Sequence, residues 1–163
     1  MILPAPGDWT TALVAAVCAV AVAAAGGIAT KTDEWYRRLR VPAWKPPDWA
    51  FGPIWAVIFA LTASSGVLAW TSAVGARPAI AIAFAVNGLL NIAWSVVFFR
   101  LRRPDWALGE IVLLWISVAA LILVVGRTSA VAGWLNLPYL VWVSIAACLN
   151  LRIVQLNPRR SLV

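Results

Sequence analysis

The chain has 163 residues, of which 63% are hydrophobic and only 12% charged, with a mean hydropathy of +0.89. A soluble domain is about 45–50% apolar and about 25% charged, so this composition describes an integral membrane protein of one domain, with no room for a separate soluble module. The formal net charge of +7 would fit a nucleic-acid binder, but the positions of the charges, taken up below, exclude that reading. The chain has no histidine and its one methionine is Met1. Histidine-ligated haem, the usual histidine-bearing zinc sites and any Ser–His or Cys–His catalytic pair are thereby excluded.

A helix that crosses a bilayer needs roughly 20 apolar residues. Five segments meet that length, at about 9–30, 50–75, 78–100, 105–126 and 129–153. The expected architecture is therefore an all-α bundle of five transmembrane helices in a single domain over residues 1–163. The first span is preceded by Asp8 and by no Lys or Arg. That is the wrong leader for a signal peptide, so a retained helix is expected. Cys18 and Cys148 lie in apolar runs without partners at metal spacing, and read as small buried hydrophobes.

Between the first two spans runs the segment 35–55, WYRRLRVPAWKPPDWAFGPIW, with four tryptophans, a tyrosine and four prolines. Proline removes an N–H and pushes the preceding residue towards extended geometry, which forbids a regular helix through 41–47. The ring content is too high for a solvated linker. The segment reads as a structured cover at the membrane surface, with rings at headgroup level and charges towards water.

The cations fall unevenly. Lys31, Arg37, Arg38, Arg40 and Lys45 lie in the first loop, Arg100, Arg102 and Arg103 in the third, and Arg152, Arg159 and Arg160 at the C-terminal end; only Arg77 and Arg127 fall in the other two loops. By the positive-inside rule the eleven lie in the cytoplasm and the N-terminus outside, the home being a bacterial cytoplasmic membrane. The basic balance thus reports topology and contact with anionic lipid. The second and fourth connections are short, which predicts that spans 2 and 3, and spans 4 and 5, are antiparallel neighbours.

Polar residues and mid-span tryptophans mark the interior of a membrane bundle. Asn87, Asn91, Trp94 and Phe98 share one face of the third span, at steps of four, three and four. Trp55, Phe59, Thr62 and Gly66 do so on the second, and Trp142, Ala146 and Asn150 on the fifth. All gather beneath the cover. A cavity of rings with a few amides suits a flat apolar ligand with polar edges. Asn87 and Asn91 fit equally an interhelical hydrogen-bonding role with no ligand. Glu110 reads as a residue that snorkels to the interface or pairs with Arg100 or Arg103. Trp9, Trp70, Trp106 and Trp134 read as interfacial anchors.

Several fixed spacings go further. They are Trp35-Tyr36; Pro42-x-Trp44-x-Pro46-Pro47-x-Trp49; Gly52-Pro53-x-Trp55; Asn91-x-x-Trp94 ahead of Phe98-Phe99; Trp106-Ala107-Leu108; and Pro138-Tyr139-Leu140-x-Trp142 ahead of Leu149-Asn150. In this order they resemble the translocator protein family, also called tryptophan-rich sensory proteins or peripheral benzodiazepine receptors, over roughly residues 10–157. The resemblance implies a five-helix bundle, usually a homodimer, that binds porphyrins such as protoporphyrin IX and synthetic ligands of the benzodiazepine and isoquinoline carboxamide type. It implies ligand contacts at Tyr36, Trp55, Phe59, Asn87, Asn91, Trp94, Phe98, Leu114, Trp142 and Ala146. Porphyrin would be a ligand; no resident cofactor or metal is expected.

Three functions stay open under that resemblance. The first is a tetrapyrrole receptor or sensor. The second is light- and oxygen-dependent porphyrin breakdown, with Trp55 and Trp142 as the catalytic rings. The third is transport of porphyrin or sterol. Conventional catalysis is not expected, since no acid–base pair or nucleophile is evident. Against transport stand the lack of repeats and of broken mid-membrane helices. Two departures matter: the sterol-recognition pattern needs a tyrosine where this chain reads Leu149-Asn150-Leu151-Arg152, and the glycine-based dimer contact of some members meets Ile82 and Val86.

Overall fold

The computed structural model describes residues 6–158, with side chains from Trp9 onward; Arg159 and Arg160 lie outside the described residues. The elements in order are α1 (Pro6–Ala29), α2 (Glu34–Arg38), α3 (Asp48–Ser72), a 3₁₀ turn at Val74–Ala76, α4 (Arg77–Ser95), a π-helical turn at Val96–Arg100, α5 (Pro104–Gly126), α6 (Ala130–Trp134) and α7 (Leu137–Leu156). Among the described residues, five spans are long and apolar enough to cross a bilayer: Trp9–Ala29, Asp48–Ser72, Val74–Arg100, Pro104–Gly126 and Ala130–Leu156. The protein is an all-α, multi-pass membrane protein.

Proline and short caps set the helix starts. Pro104 opens α5, and Pro78 and Pro138 stand in the first turns of α4 and α7, where a missing N–H costs nothing. The side chain of Asp33 accepts the N–H of Tyr36 and so caps α2. The last span is two helices, not one. Its break at Leu135–Asn136 is stabilised by Asn136, whose amide donates to Ala132 O at 3.0 Å and to Ser65 Oγ at 2.6 Å. Ser65 in turn donates to Ala132 O at 2.8 Å, so that carbonyl is doubly bonded within the bundle, while Asn136 Oδ1 is buried without a partner.

The spans close a ring in the order α1, α3, α6 with α7, α5, α4 and back to α1. The pairing of spans 4 and 5 is as the short connection requires. Spans 2 and 3 are less intimate than expected, because α1 packs against both α3 and α4. Contact between α3 and α4 includes the shared-turn end, where Ala69 and Ile80 join one buried cluster, and the approach of Phe84 to Gly66. Small residues bring α1 close: a Cβ on Gly88 would stand 3.1 Å from Val22 Cγ2. Among the described side chains of α1 only Ala29 is buried, the rest of the helix presenting itself largely to lipid.

At one end, where α3 and α5 begin and α7 finishes, residues 30–47 form a strap over the bundle. Leu39 is its plug, buried against Phe98, Ala107, Leu149 and Ile153. Three polar fastenings hold it. Asp33 Oδ2 accepts from Arg102 at 2.9 Å. Arg40 is bonded through both main-chain polar groups by the side-chain amide of Asn157. Tyr36 Oη donates to Asp48 Oδ1 at 3.0 Å, and Lys45 is paired with the same carboxylate. Arg102 reaches Asp33 from a left-handed backbone conformation, φ 54°, in the tight turn before Pro104.

Candidate ligand site beneath the strap

Three helices deliver the rings. On α3, Trp55 stacks on Phe59 at 5.3 Å between centroids, four residues apart on one face, and meets the edge of Tyr139 at 5.8 Å. On α7, Trp142 is only 8% exposed and takes Phe51 edge-on at 5.5 Å. On α4, Trp94 stacks on Phe98 at 5.2 Å and meets Phe99 nearly perpendicular at 6.1 Å. The π turn explains how two consecutive phenylalanines reach one tryptophan. Its wider repeat keeps residue i+5 on the side where i+4 already lies. Each such aromatic contact adds about 0.5–1.5 kcal/mol beyond the area it buries.

Two clusters result, and they share walls. The deeper one is built on Ile58, Ile111, Leu114, Val118, Tyr139, Trp142 and Val143, with Trp55, Trp94 and Ala146 packed against it. The shallower one lies directly under the strap around Phe98 and Leu39, with Trp35 and Tyr36 against it. Phe51 and Trp94 belong to both. Trp55, Leu114, Trp94, Trp142 and Ala146 therefore meet in one place, with Phe59 stacked behind Trp55. Phe98 and Tyr36 stand one layer nearer the strap. Burial first, and then the Asp48 carboxylate that accepts its proton, push the Tyr36 hydroxyl above the usual tyrosine range.

The two asparagines are committed to the protein. Asn87 donates to Ser117 Oγ at 2.9 Å, and Asn91 donates to Tyr139 Oη at 2.9 Å; all four groups are buried. Asn150 has a comparable duty. With its amide turned to match its neighbours, it accepts Leu108 N–H at 2.9 Å and donates to Pro104 O at 3.3 Å, clamping the start of α5 to α7.

Glu110 neither snorkels nor pairs. Arg103 is taken up by both oxygens of Asp105, at 2.9 and 2.7 Å, and Arg100 donates to Ile28 O. Both Glu110 carboxylate oxygens are buried without a hydrogen-bond partner, as is the indole N–H of Trp94.

Tyr139 and Phe51 are the residues that the sequence reading left out of the site. Tyr139 is 1% exposed, and its hydroxyl is the acceptor for Asn91. Both carried a signal, since Tyr139 stands three residues before Trp142 and Phe51 four before Trp55, on the inward face in each case. A separate crevice of about 430 Å³ lies at the opposite end of the bundle, lined by residues that include Gly126, Arg127, Gly133 and Trp134, and it includes none of the ten expected contacts. Among the described residues there is no group of three or more His, Cys, Asp or Glu able to hold a metal ion.

A family model described as the TspO/MBR family matches residues 13–156. The chain is 40% identical over 153 residues to the tryptophan-rich protein TspO of Chlorobaculum tepidum, covering 91% of this chain and 96% of that protein. It is 33% identical to a tryptophan-rich sensory protein of Cereibacter sphaeroides, covering 94% and 95% of the two chains. It is also 31% identical to the human translocator protein, covering 71% and 70%.

Proposed function

The chain belongs to the TspO/MBR family, and from that premise we propose that it is a membrane receptor for flat tetrapyrroles, with metal-free protoporphyrin IX as ligand and the ring cluster beneath the strap as its site. The observation that carries this reading is the convergence of Trp55, Trp94 and Trp142, from three separate helices, on one cluster under a fastened cover. Rings that meet edge-on and stacked can part to admit another flat ring and recover their contacts on its faces. With no histidine in the sequence, the ligand is held by stacking and not by axial iron ligation, which favours the free base over haem. The acidic edge of a porphyrin would lie towards the strap, where Lys45 stands over both the Tyr36 and Phe51 rings at 5.6 and 5.7 Å.

The same site would take benzodiazepine and isoquinoline carboxamide compounds in competition with porphyrin. The assembly that accompanies this reading is a homodimer in the cytoplasmic membrane; the eleven-to-two division of cations supports placing the strap end inside.

Titration of the purified protein with protoporphyrin IX, followed by tryptophan fluorescence, tests the proposal. Saturable quenching is expected, with affinity weakened about tenfold or more in Trp142→Ala, the loss of one buried stacking ring being worth upwards of 1.4 kcal/mol. Quenching that never saturates would refute it.

A further inference from the structure

The inward face of α4, towards α5 and α7, carries a ladder of buried polar contacts with one rung left open. The Asn87–Ser117 hydrogen bond sets the register of α4 against the antiparallel α5. Seven residues from Asn87 towards the strap is Trp94, and seven residues back from Ser117 in the same direction is Glu110. Seven residues are about two helical turns, so each returns to the face and shares the level of its partner, about 10.5 Å nearer the strap. Between the two levels, Asn91 closes its rung on Tyr139, which belongs to α7. At the third level nothing is closed: the indole N–H of Trp94 is a buried donor without an acceptor, and the Glu110 oxygens are buried acceptors without a donor. They do not bond to each other, and the nearby cations are committed elsewhere, Arg103 to Asp105 and Arg100 to Ile28 O.

Buried polar groups are normally satisfied, and an unpaired carboxylate is the costliest exception. A donor and an acceptor left open at one level specify their complement, a ligand edge that offers a carbonyl oxygen to Trp94 and an N–H to Glu110. Around them the walls are apolar and aromatic, with Phe98 stacked on Trp94 and Leu114 one turn from Glu110 on the same face. We propose that Trp94 and Glu110 form a two-point recognition element that selects flat conjugated ligands carrying an N–H beside a carbonyl, that is, a lactam or secondary amide edge. This rests on the reading of the cluster as an aromatic-ligand site and adds its selectivity. A site built to bond an N–H discriminates against the analogue that lacks it, because its own polar group is then left unpaired.

The test uses the full-length protein in nanodiscs and a matched pair of probes, 3-phenylisoquinolin-1(2H)-one and its N-methyl derivative, read by tryptophan fluorescence. Wild type should bind the N–H lactam about tenfold or more tightly than the N-methyl compound, as for one charge-assisted hydrogen bond. Glu110→Leu should bring the two within about twofold by loss of that bond. Glu110→Gln, which keeps the shape and a neutral acceptor, should leave a preference of about threefold, as for a hydrogen bond of half the strength. Trp94→Phe should weaken both probes alike, since the carbonyl they share loses its donor.

Equal binding of the two probes by wild type, no binding of either, or a preference that survives Glu110→Leu unchanged would overturn the proposal. Should Glu110→Leu fail to fold, the Glu110→Gln ratio decides alone. Protoporphyrin titrated in parallel separates the two readings. Saturable porphyrin binding without lactam selection sinks only this inference, whereas lactam selection without porphyrin binding sinks the porphyrin reading and leaves this one standing.

Discussion

The side-chain amide of Asn157 embraces Arg40 from both sides, accepting its main-chain N–H at 3.0 Å and donating to its carbonyl at 2.9 Å, 117 residues away in sequence. The same amide nitrogen also donates to Ile153 O at 2.8 Å, so the last turn of α7 and the middle of the strap share one fastening. Asn157→Leu removes both bonds to the strap and leaves the Arg40 groups to find water. A loss of about 1–3 kcal/mol in strap closure is expected. Hydrogen exchange should rise across residues 34–45 while α3 and α5 keep their protection. Unchanged exchange in the strap would show that Leu39 alone holds it down.

The Asp33–Arg102 contact gives the strap a pH dependence. The N–H of Tyr36, and then the Arg102 guanidinium, hold the Asp33 carboxyl below its ordinary range against an opposing desolvation. A depressed carboxyl contributes stability that is complete above its unfolded value, near pH 4, and is lost as pH falls through the lower folded value. Strap protection should therefore be flat from pH 7 to 5 and fall below pH 4. In Asp33→Asn, which can still cap α2, the acid-induced fall should shrink. A fall of the same size in that variant would assign it to another group.

Asn91 and Tyr139 form a buried pair whose members are costly to separate. Asn91→Leu strands the Tyr139 hydroxyl without its donor and should cost about 1–3 kcal/mol. Tyr139→Phe alone strands the Asn91 amide similarly. The double variant removes both polar groups at once, so thermal melts in detergent should show it less destabilised than the sum of the two singles, with a coupling of about 0.5–3 kcal/mol. Strict additivity would mean that the 2.9 Å contact carries no energy of its own.

Gly133 sits where α6 crosses α5. A Cβ there would stand 3.1 Å from Gly126 Cα and 3.4 Å from Ile122 O, both backbone atoms that cannot swing aside. Gly133→Ala should destabilise by about 1–3 kcal/mol through overpacking. Gly109, in the same helix as Gly126, has nothing within 4 Å of such a carbon. Gly109→Ala should instead gain about 0.5–1 kcal/mol, the usual cost of glycine within a helix. Melting temperatures of the two variants should move in opposite directions.

The five spans were legible because apolar length is a strong signal, and the inward faces of α3 and α7 were legible because Trp55, Phe59 and Thr62, and likewise Trp142 and Ala146, recur at helical steps. What escaped were features that depend on competition between neighbours. Glu110 was expected to snorkel to the interface or to pair with Arg100 or Arg103; it does neither, because its oxygens are buried, Asp105 lies two residues from Arg103 and captures it, and Arg100 bonds to Ile28 O. The interruption of the last span at Asn136 is flanked by Gly133 and Pro138, but a span counted by apolar length alone runs through both, and the asparagine that stabilises the break has partners 71 and 4 residues away. Spacing counts also treat α4 as a regular helix to Phe98, whereas the turn from Val96 to Arg100 is π. That irregularity is invisible to a fixed period, yet it lets Phe99 join Trp94.

The π turn implies something about tolerated chain length. Such a turn holds one residue more than an α turn, and deleting either Val96 or Val97 would let the segment relax into ordinary helix. Because the π turn already absorbs that extra residue, the chain beyond the deletion would keep its face relative to α4. Phe98 and Phe99 would then stand three and four residues from Trp94, both still on its side, and the turn leading to Arg102 would keep its aim at Asp33. A one-residue deletion at this spot should therefore be absorbed, whereas the same deletion in the regular middle of α5 would turn everything beyond it by about 100°.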